Sequence, residues 1–212
     1  MTNIGVLGTG NAGRALGTHL AEAGHAVVFG SRDPDARRDL GLPALTVADA
    51  IAHGDIVVNA TPGTASLALL RPFASRFTGK VLLDIAVGFT DTLELAHPNS
   101  SIGEQLQEAL PGASVVKTFC TVDSIVMVTP EVLTGPGHVF LSGEDEDAKA
   151  RVAALLRDLG WSDSALFDLG GIATARGQEH MALFLIAVAE SLGSYTFGLR
   201  VVPSEARPKA RQ

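Results

Sequence analysis

Two groups of residues near the start of the chain have the types and spacing to hold a phosphate-bearing ligand. Gly8-Thr9-Gly10-Asn11-Ala12-Gly13 follows the G-x-G-x-x-G pattern, and Ser31-Arg32 stands about 20 residues beyond it, with Arg37 and Arg38 a turn later. In such a turn the first glycine permits the tight bend, the second lets backbone approach a pyrophosphate, and the third lets a helix sit close to a strand. The helix start adds unpaired N–H groups and a positive dipole end. A site for the unphosphorylated dinucleotide usually has Asp or Glu where this chain has Ser31 and Arg32. A carboxylate there would repel a 2′-phosphate, whereas a serine hydroxyl and a guanidinium fork would bind one. The expected ligand is therefore NADP rather than NAD. Asp33, one step on and just before Pro34, is the complication, and a solvated polar turn is the plain alternative.

These residues need a strand, a helix and a second strand to position them, and the sequence supplies all three. Ile4 to Leu7 is a short apolar run suited to a buried strand. Ala12, Ala15, Leu16, His19, Leu20 and Ala23 recur at helical spacing, Gly24 stops the helix, and Ala26 to Phe29 forms the next strand. Further strands are expected at Leu45–Val47, Asp55–Ala60, Val81–Ile85 and Ser114–Phe119. Helical stretches separate them at Val47–Ala52, at Ala65–Phe77 with a break near Pro72, and at Ser100–Leu110. This alternation predicts an α/β fold, a Rossmann-type doubly wound, mostly parallel sheet. Ligands of such sheets lie beyond the carboxyl ends of the strands. The candidate lining is then Thr9, Ser31, Ala60-Thr61-Pro62, Ala86-Val87 and the segment from Thr118 to Val122.

After Phe119 the pattern changes. Residues 1–122 read as the dinucleotide-binding domain, and 123–212 as a small C-terminal α/β extension on the same body. In it, strands are expected at His138–Ser142 and Leu166–Leu169, and helices at Glu144–Leu159 and Ile172–Gly193. The last helix is apolar almost all round from Met181 to Val188, which points to burial, most naturally in a homodimer interface. The tail beyond Pro203, with Arg207, Lys209 and Arg211, reads as frayed.

Composition narrows the class of function. Of 212 residues, 46% are hydrophobic and 18% charged, and the net charge is −7. An acidic chain is a poor partner for nucleic acid or an anionic membrane, so a small-molecule substrate is expected. Cys120 is the sole cysteine, which excludes an internal disulfide and a cysteine-rich metal site. His19, His25 and His138 lack ligand-spaced partners, so no metal is expected. The first strand begins by residue 4, leaving no room for a signal peptide, and the longest apolar run is too short to span a bilayer. A cytoplasmic location is the expectation.

Read in order, the chain resembles the NADP oxidoreductase family that depends on the deazaflavin coenzyme F420. The resemblance covers nearly the whole chain and rests on IGVLGTGNAGRALG, GHAVVFGSRDP, DIVVNATP, PGASVVKTF, LSGEDEDAKARVAALLRDLGW and Gly171-Ile172-Ala173-Thr174-Ala175-Arg176-Gly177. It implies hydride exchange between NADPH and a deazaflavin in a cleft roofed by the C-terminal part, usually in a dimer. It further implies a phosphate turn at Thr9, Gly10, Asn11 and Ala12, 2′-phosphate contacts at Ser31 and Arg32 with Arg37 or Arg38 in support, and Ala60-Thr61-Pro62 and Ala86-Val87 behind the nicotinamide. The chain departs from the pattern at Cys120, where relatives carry a polar residue.

Hydride transfer between two cofactor rings needs no side-chain nucleophile, so no catalytic acid or base is assigned. Alternative readings are an NADPH-dependent reductase of another small acceptor (a flavin, a metal chelate, a carbonyl or an imine) and a non-catalytic NADP sensor. Cys120 reads as a buried inert thiol, and Lys117 as a lysine snorkelling to the surface. Arg176, Glu179 and His180 are either substrate contacts or a solvated helix start.

Overall fold

The computed structural model describes residues 1–204; the tail cations Arg207, Lys209 and Arg211 lie outside the described residues, as does the side chain of Arg38. Six strands form one parallel sheet: β1 (Asn3–Leu7), β2 (Ala26–Ser31), β3 (Ala44–Thr46), β4 (Ile56–Asn59), β5 (Val81–Asp84) and β6 (Ser114–Lys117). Their order across the sheet is β3-β2-β1-β4-β5-β6, the doubly wound order expected of a dinucleotide-binding fold. The direction of winding reverses between β1 and β4, which opens a crevice beyond their carboxyl ends.

Alternation along each strand builds two cores. Ile4, Val6, Val27, Phe29, Val58, Leu83 and Val116 face α1 (Asn11–Glu22) and α5 (Glu146–Asp158). Leu7, Val28, Val57, Leu82 and Val115 face α2 (Val47–His53), α3 (Gly63–Leu70) and α4 (Ile102–Ala109). Strands buried on both faces explain the near-continuous apolar runs. Helix starts are marked where the sequence offers a cap: Thr46, Ser101 and Asp145 each accept a backbone N–H three residues on. Pro72 ends α3, and a 3-10 turn (Arg71–Phe77) continues the chain.

Beyond β6, β7 (Val139–Leu141) and β8 (Leu166–Asp168) form a small parallel pair, joined to the main sheet by a bridge between Lys117 and Ser142. Trp161, after α5, donates its indole N–H to the Met127 carbonyl (2.9 Å) and lies beside the Phe119 ring. A 3-10 turn (Ile172–Thr174) leads into α6 (Ala175–Leu192). This helix is not enclosed by its own chain. Ala182, Leu185 and Ala189 face inward, while Met181, Phe184 and Leu192 are exposed. Among the described residues no helix is long and apolar enough to cross a membrane.

Candidate active site

The carboxyl edge of the sheet carries three adjoining cavities. The first, about 610 Å³, is lined by Gly8, Thr9, Ser31, Arg32, Asp33 and Arg37 among others. The second, about 410 Å³, shares Gly8, Thr9, Thr61 and Pro62 with it and continues along Gly10, Asn11, Ala12, Ala60, Ala86 and Val87. The third, about 260 Å³, shares Ile85, Val87 and Met127 with the second and is walled by Phe89, Phe119, Val122, Leu185 and Tyr195. A single crevice therefore runs from a cationic end, past a glycine turn, to an apolar aromatic end.

The turn has the geometry its sequence demands. Gly8 has φ +106°, and a side chain there would collide with the Ala60 carbonyl. Gly13 sits so close to the Gly8 carbonyl that no Cβ fits, which brings α1 against β1. Gly10 caps α1 with open space around it, no side chain capping the helix and no acid in its first turn. Arg14 braces the turn from the helix side, donating from Nε to the Thr9 carbonyl (2.9 Å) while its other end pairs with Asp39.

At the cationic end, Arg37 Nε is buried without a hydrogen-bond partner among the described residues, and Arg32 is exposed on the cavity wall. Such an orphaned donor beside an exposed guanidinium suits an anionic oxygen cluster. Asp33 is turned to another use: its Oδ1 accepts the Ala36 N–H (3.2 Å), and Ser31 Oγ exchanges hydrogen bonds with the Asp33 backbone. The acid next to Arg32 is thus part of the turn that shapes this end.

Under the middle of the crevice lies a polar layer. Register aligns Asn59 with Asp84 and Asp84 with Lys117 across β4, β5 and β6. All three are fully buried. Asn59 donates to Asp84 Oδ1 (2.7 Å) and accepts from Thr61 Oγ1 (2.6 Å). Lys117 Nζ lies 2.8 Å from Asp84 Oδ2 and 2.7 Å from Glu179 Oε1 of α6, and also donates to the Ala86 carbonyl. Burial works against the Lys117 ammonium, but the anionic groups around it, Asp84 first, outweigh that and raise its pKa above the ordinary lysine value. Burial pushes the neighbouring Cys120 thiol up to about 12, Lys117 offsetting part of this and the two carboxylates adding to it. Cys120 lines the third cavity as a neutral thiol.

A family model described as NADP oxidoreductase, coenzyme F420-dependent, matches residues 3–88. An F420-dependent NADP reductase from Methanothermobacter marburgensis is 34% identical over 207 residues, which cover 86% of this chain and 90% of that protein. The chain belongs to this family. The crystal structure of a candidate F420-dependent NADP reductase from an Arthrobacter species aligns with a TM-score of 0.88 at 38% identity, over 96% of this chain and 100% of the other. Metalloreductase STEAP3 of Rattus norvegicus is 28% identical over 186 residues, which are 86% of this chain but only 37% of that longer protein. Membership places the chain among NADP-dependent oxidoreductases.

The residues singled out in the sequence fall along the crevice: Gly8 through Ala12, Ser31, Arg32, Arg37, Ala60, Thr61, Pro62, Ala86 and Val87 line its first two cavities, and Gly13 lies beneath. The cluster expected at the start of α6 is divided. Arg176 pairs with Glu104 of α4, His180 Nδ1 meets the Arg176 carbonyl, and Glu179 alone turns inward. Lys117 does not reach the surface. Its place among carboxylates could have been suspected only from three charged or amide residues closing apolar strands at one level. Arg14 was also passed over, although its position just after the third glycine was the available signal.

Proposed function

We propose that this protein binds NADP(H) along the crevice and exchanges a hydride with a flavin-like acceptor, for which a deazaflavin of the F420 type is the best candidate. The observation that carries this is the continuity of the three cavities, from the Arg32 and Arg37 end through a glycine turn to an apolar pocket. In this reading Arg32 and Arg37, with Ser31, meet the 2′-phosphate. Thr9, Gly10, Asn11 and Ala12 present backbone N–H groups to the pyrophosphate. Ala60-Thr61-Pro62 and Ala86-Val87 floor the nicotinamide. When bound, NADPH supplies a hydride from its nicotinamide ring, which gains one positive charge in giving it up.

The residues of the chain orient and dry the site. Phe89, Phe119, Val122 and Leu185 offer a planar acceptor an apolar wall, with Asp123 and Tyr195 at the same cavity. A sensor of cofactor state would have no need of this third cavity. The exposed apolar face of α6, with Phe184 at 55% and Leu192 at 61% exposure, supports a homodimer built on that helix. Residues 123–212 then act as the part that completes the acceptor side.

The experiment is to mix the protein with NADPH or NADH and a panel of oxidised acceptors (F420, free flavin, ferric chelate, cyclic imine) and follow nicotinamide absorbance. Turnover with F420 and NADPH is the expected result. No binding of either dinucleotide would overturn the proposal. Binding without turnover of any acceptor would leave the sensor.

A further inference from the structure

The polar layer beneath the crevice does more than fill space between strands. Asp84 holds the Ala86 N–H through Oδ1 (3.2 Å), while Lys117, bound to Asp84 Oδ2, holds the Ala86 carbonyl. Both backbone polar groups of one cavity-floor residue are therefore fixed by one buried ion pair. Asn59 extends the same hold to Thr61 through its N–H and hydroxyl. The other arm reaches α6, where Glu179 Oε1 takes Lys117 and also accepts the Ile102 N–H (2.8 Å).

The charge of this assembly is unbalanced. Both Asp84 oxygens accept from donors, with the Asn59 amide and Ala86 N–H on one and the ammonium on the other. Glu179 faces the same ammonium and the N-terminus of α4, whose Ile102 and Gly103 N–H groups it accepts. Two carboxylates against one ammonium leave one negative charge, buried one peptide away from the cavity floor. The α4 dipole offsets part of it. Arg176 and Glu104, nearer the surface, cancel each other. Charge in so dry a place is weakly screened and acts on whatever occupies the floor.

We propose that the Asp84–Lys117–Glu179 triad is a positioning and charge-setting group that favours the oxidised, cationic nicotinamide over the reduced, neutral one. The proposal rests on the NADP(H) reading above and goes beyond it. The triad lowers the affinity gap that the reduced ring would otherwise enjoy and so favours hydride leaving NADPH. It touches no reacting atom. It acts through the Ala86 peptide and through its field.

The test is the ratio of dissociation constants for NADP+ and NADPH, measured by calorimetry or fluorescence in the wild type and in Glu179→Gln. This substitution keeps size and an accepting oxygen while removing one charge. The expected result is a three- to tenfold rise (~1.4 kcal/mol per tenfold change) in Kd for NADP+ relative to NADPH. Affinity for 2′,5′-ADP, which lacks the nicotinamide, should not change. A purely structural role would weaken both dinucleotides alike, and that outcome, or an unchanged ratio, overturns the proposal. If Glu179→Gln does not fold, Asp84→Asn gives the same reading from the other carboxylate. If both variants fail to fold, neutral-salt dependence of the wild-type ratio is decisive, because a buried charge predicts a ratio insensitive to salt while a surface effect predicts a falling one. Wild type that binds 2′,5′-ADP and both nicotinamide states, with a ratio that neither carboxylate substitution shifts, sinks the triad proposal and leaves the adenosine site intact. Wild type that binds neither ligand sinks both.

Discussion

Two regions near the carboxyl edge of the sheet treat charge in opposite ways. At the cavity lined by Arg32 and Arg37 a guanidinium stands exposed and a second has a buried N–H left without a partner. Under Ala86, by contrast, Lys117 is wrapped by two carboxylates and a carbonyl, with nothing left for a ligand. The lesson is that an unsatisfied cation marks where a ligand's charge is to arrive, and a satisfied one marks where the protein has fixed its own. On the proposed reading the first is a binding device with little stake in folding. The second ties β5, β6 and α6 together beneath the cavity floor.

The comparison breaks most readily at Lys117. Lys117→Met leaves two buried carboxylates without their counter-ion, and an unfolding free energy lower by about 3–5 kcal/mol is expected from urea titration. A loss under 1 kcal/mol would show that water reaches the triad. Next in size is Arg32→Ala, which should leave stability alone and weaken NADPH by about 10- to 100-fold, with NADH little affected. Equal losses for both dinucleotides would show that Arg32 does not read the 2′-phosphate.

Cys120 sharpens the buried side. With its pKa pushed up to about 12 from an ordinary 9.0, the folded protein keeps the thiol proton where the unfolded chain has lost it. Alkylation of native protein at pH 8 should therefore be far slower than that of protein in urea, and stability should fall as pH rises across the window between those two values. Rapid alkylation of the native thiol would contradict this. The smallest effect belongs to Arg176→Ala. Its bidentate pairing with Glu104 is geometrically good but half in solvent, and no measurable change in melting temperature is expected.

How much was legible in the sequence follows the same division. The glycine turn, Ser31-Arg32 and the six-strand alternation are local patterns within a few dozen residues, and each carries its meaning in its spacing. The boundaries moved only slightly: β6 ends at Lys117 rather than Phe119, because Phe119 takes φ 59° and turns the chain into the third cavity. The triad was not legible. Lys117 and Glu179 are separated by most of the C-terminal part, and only register and the docking of α6 bring them together. What covers the apolar stretch of α6 was not legible, since an apolar helix face looks the same whether its partner is the same chain or another; within this chain Met181, Phe184 and Leu192 stay exposed. Asp33, the residue that argued against a phosphate, proved to serve the turn, a role that its hydrogen bonds reveal and its identity does not.

Trp161 is the only tryptophan in the chain, and its indole is anchored on the carbonyl of Met127, one of three residues common to the second and third cavities. Indole emits light at wavelengths that a reduced nicotinamide absorbs. The molecule thus carries its own optical gauge: without any label, dimming of that one fluorophore would time the arrival of a reduced dinucleotide, and its recovery would time oxidation or departure.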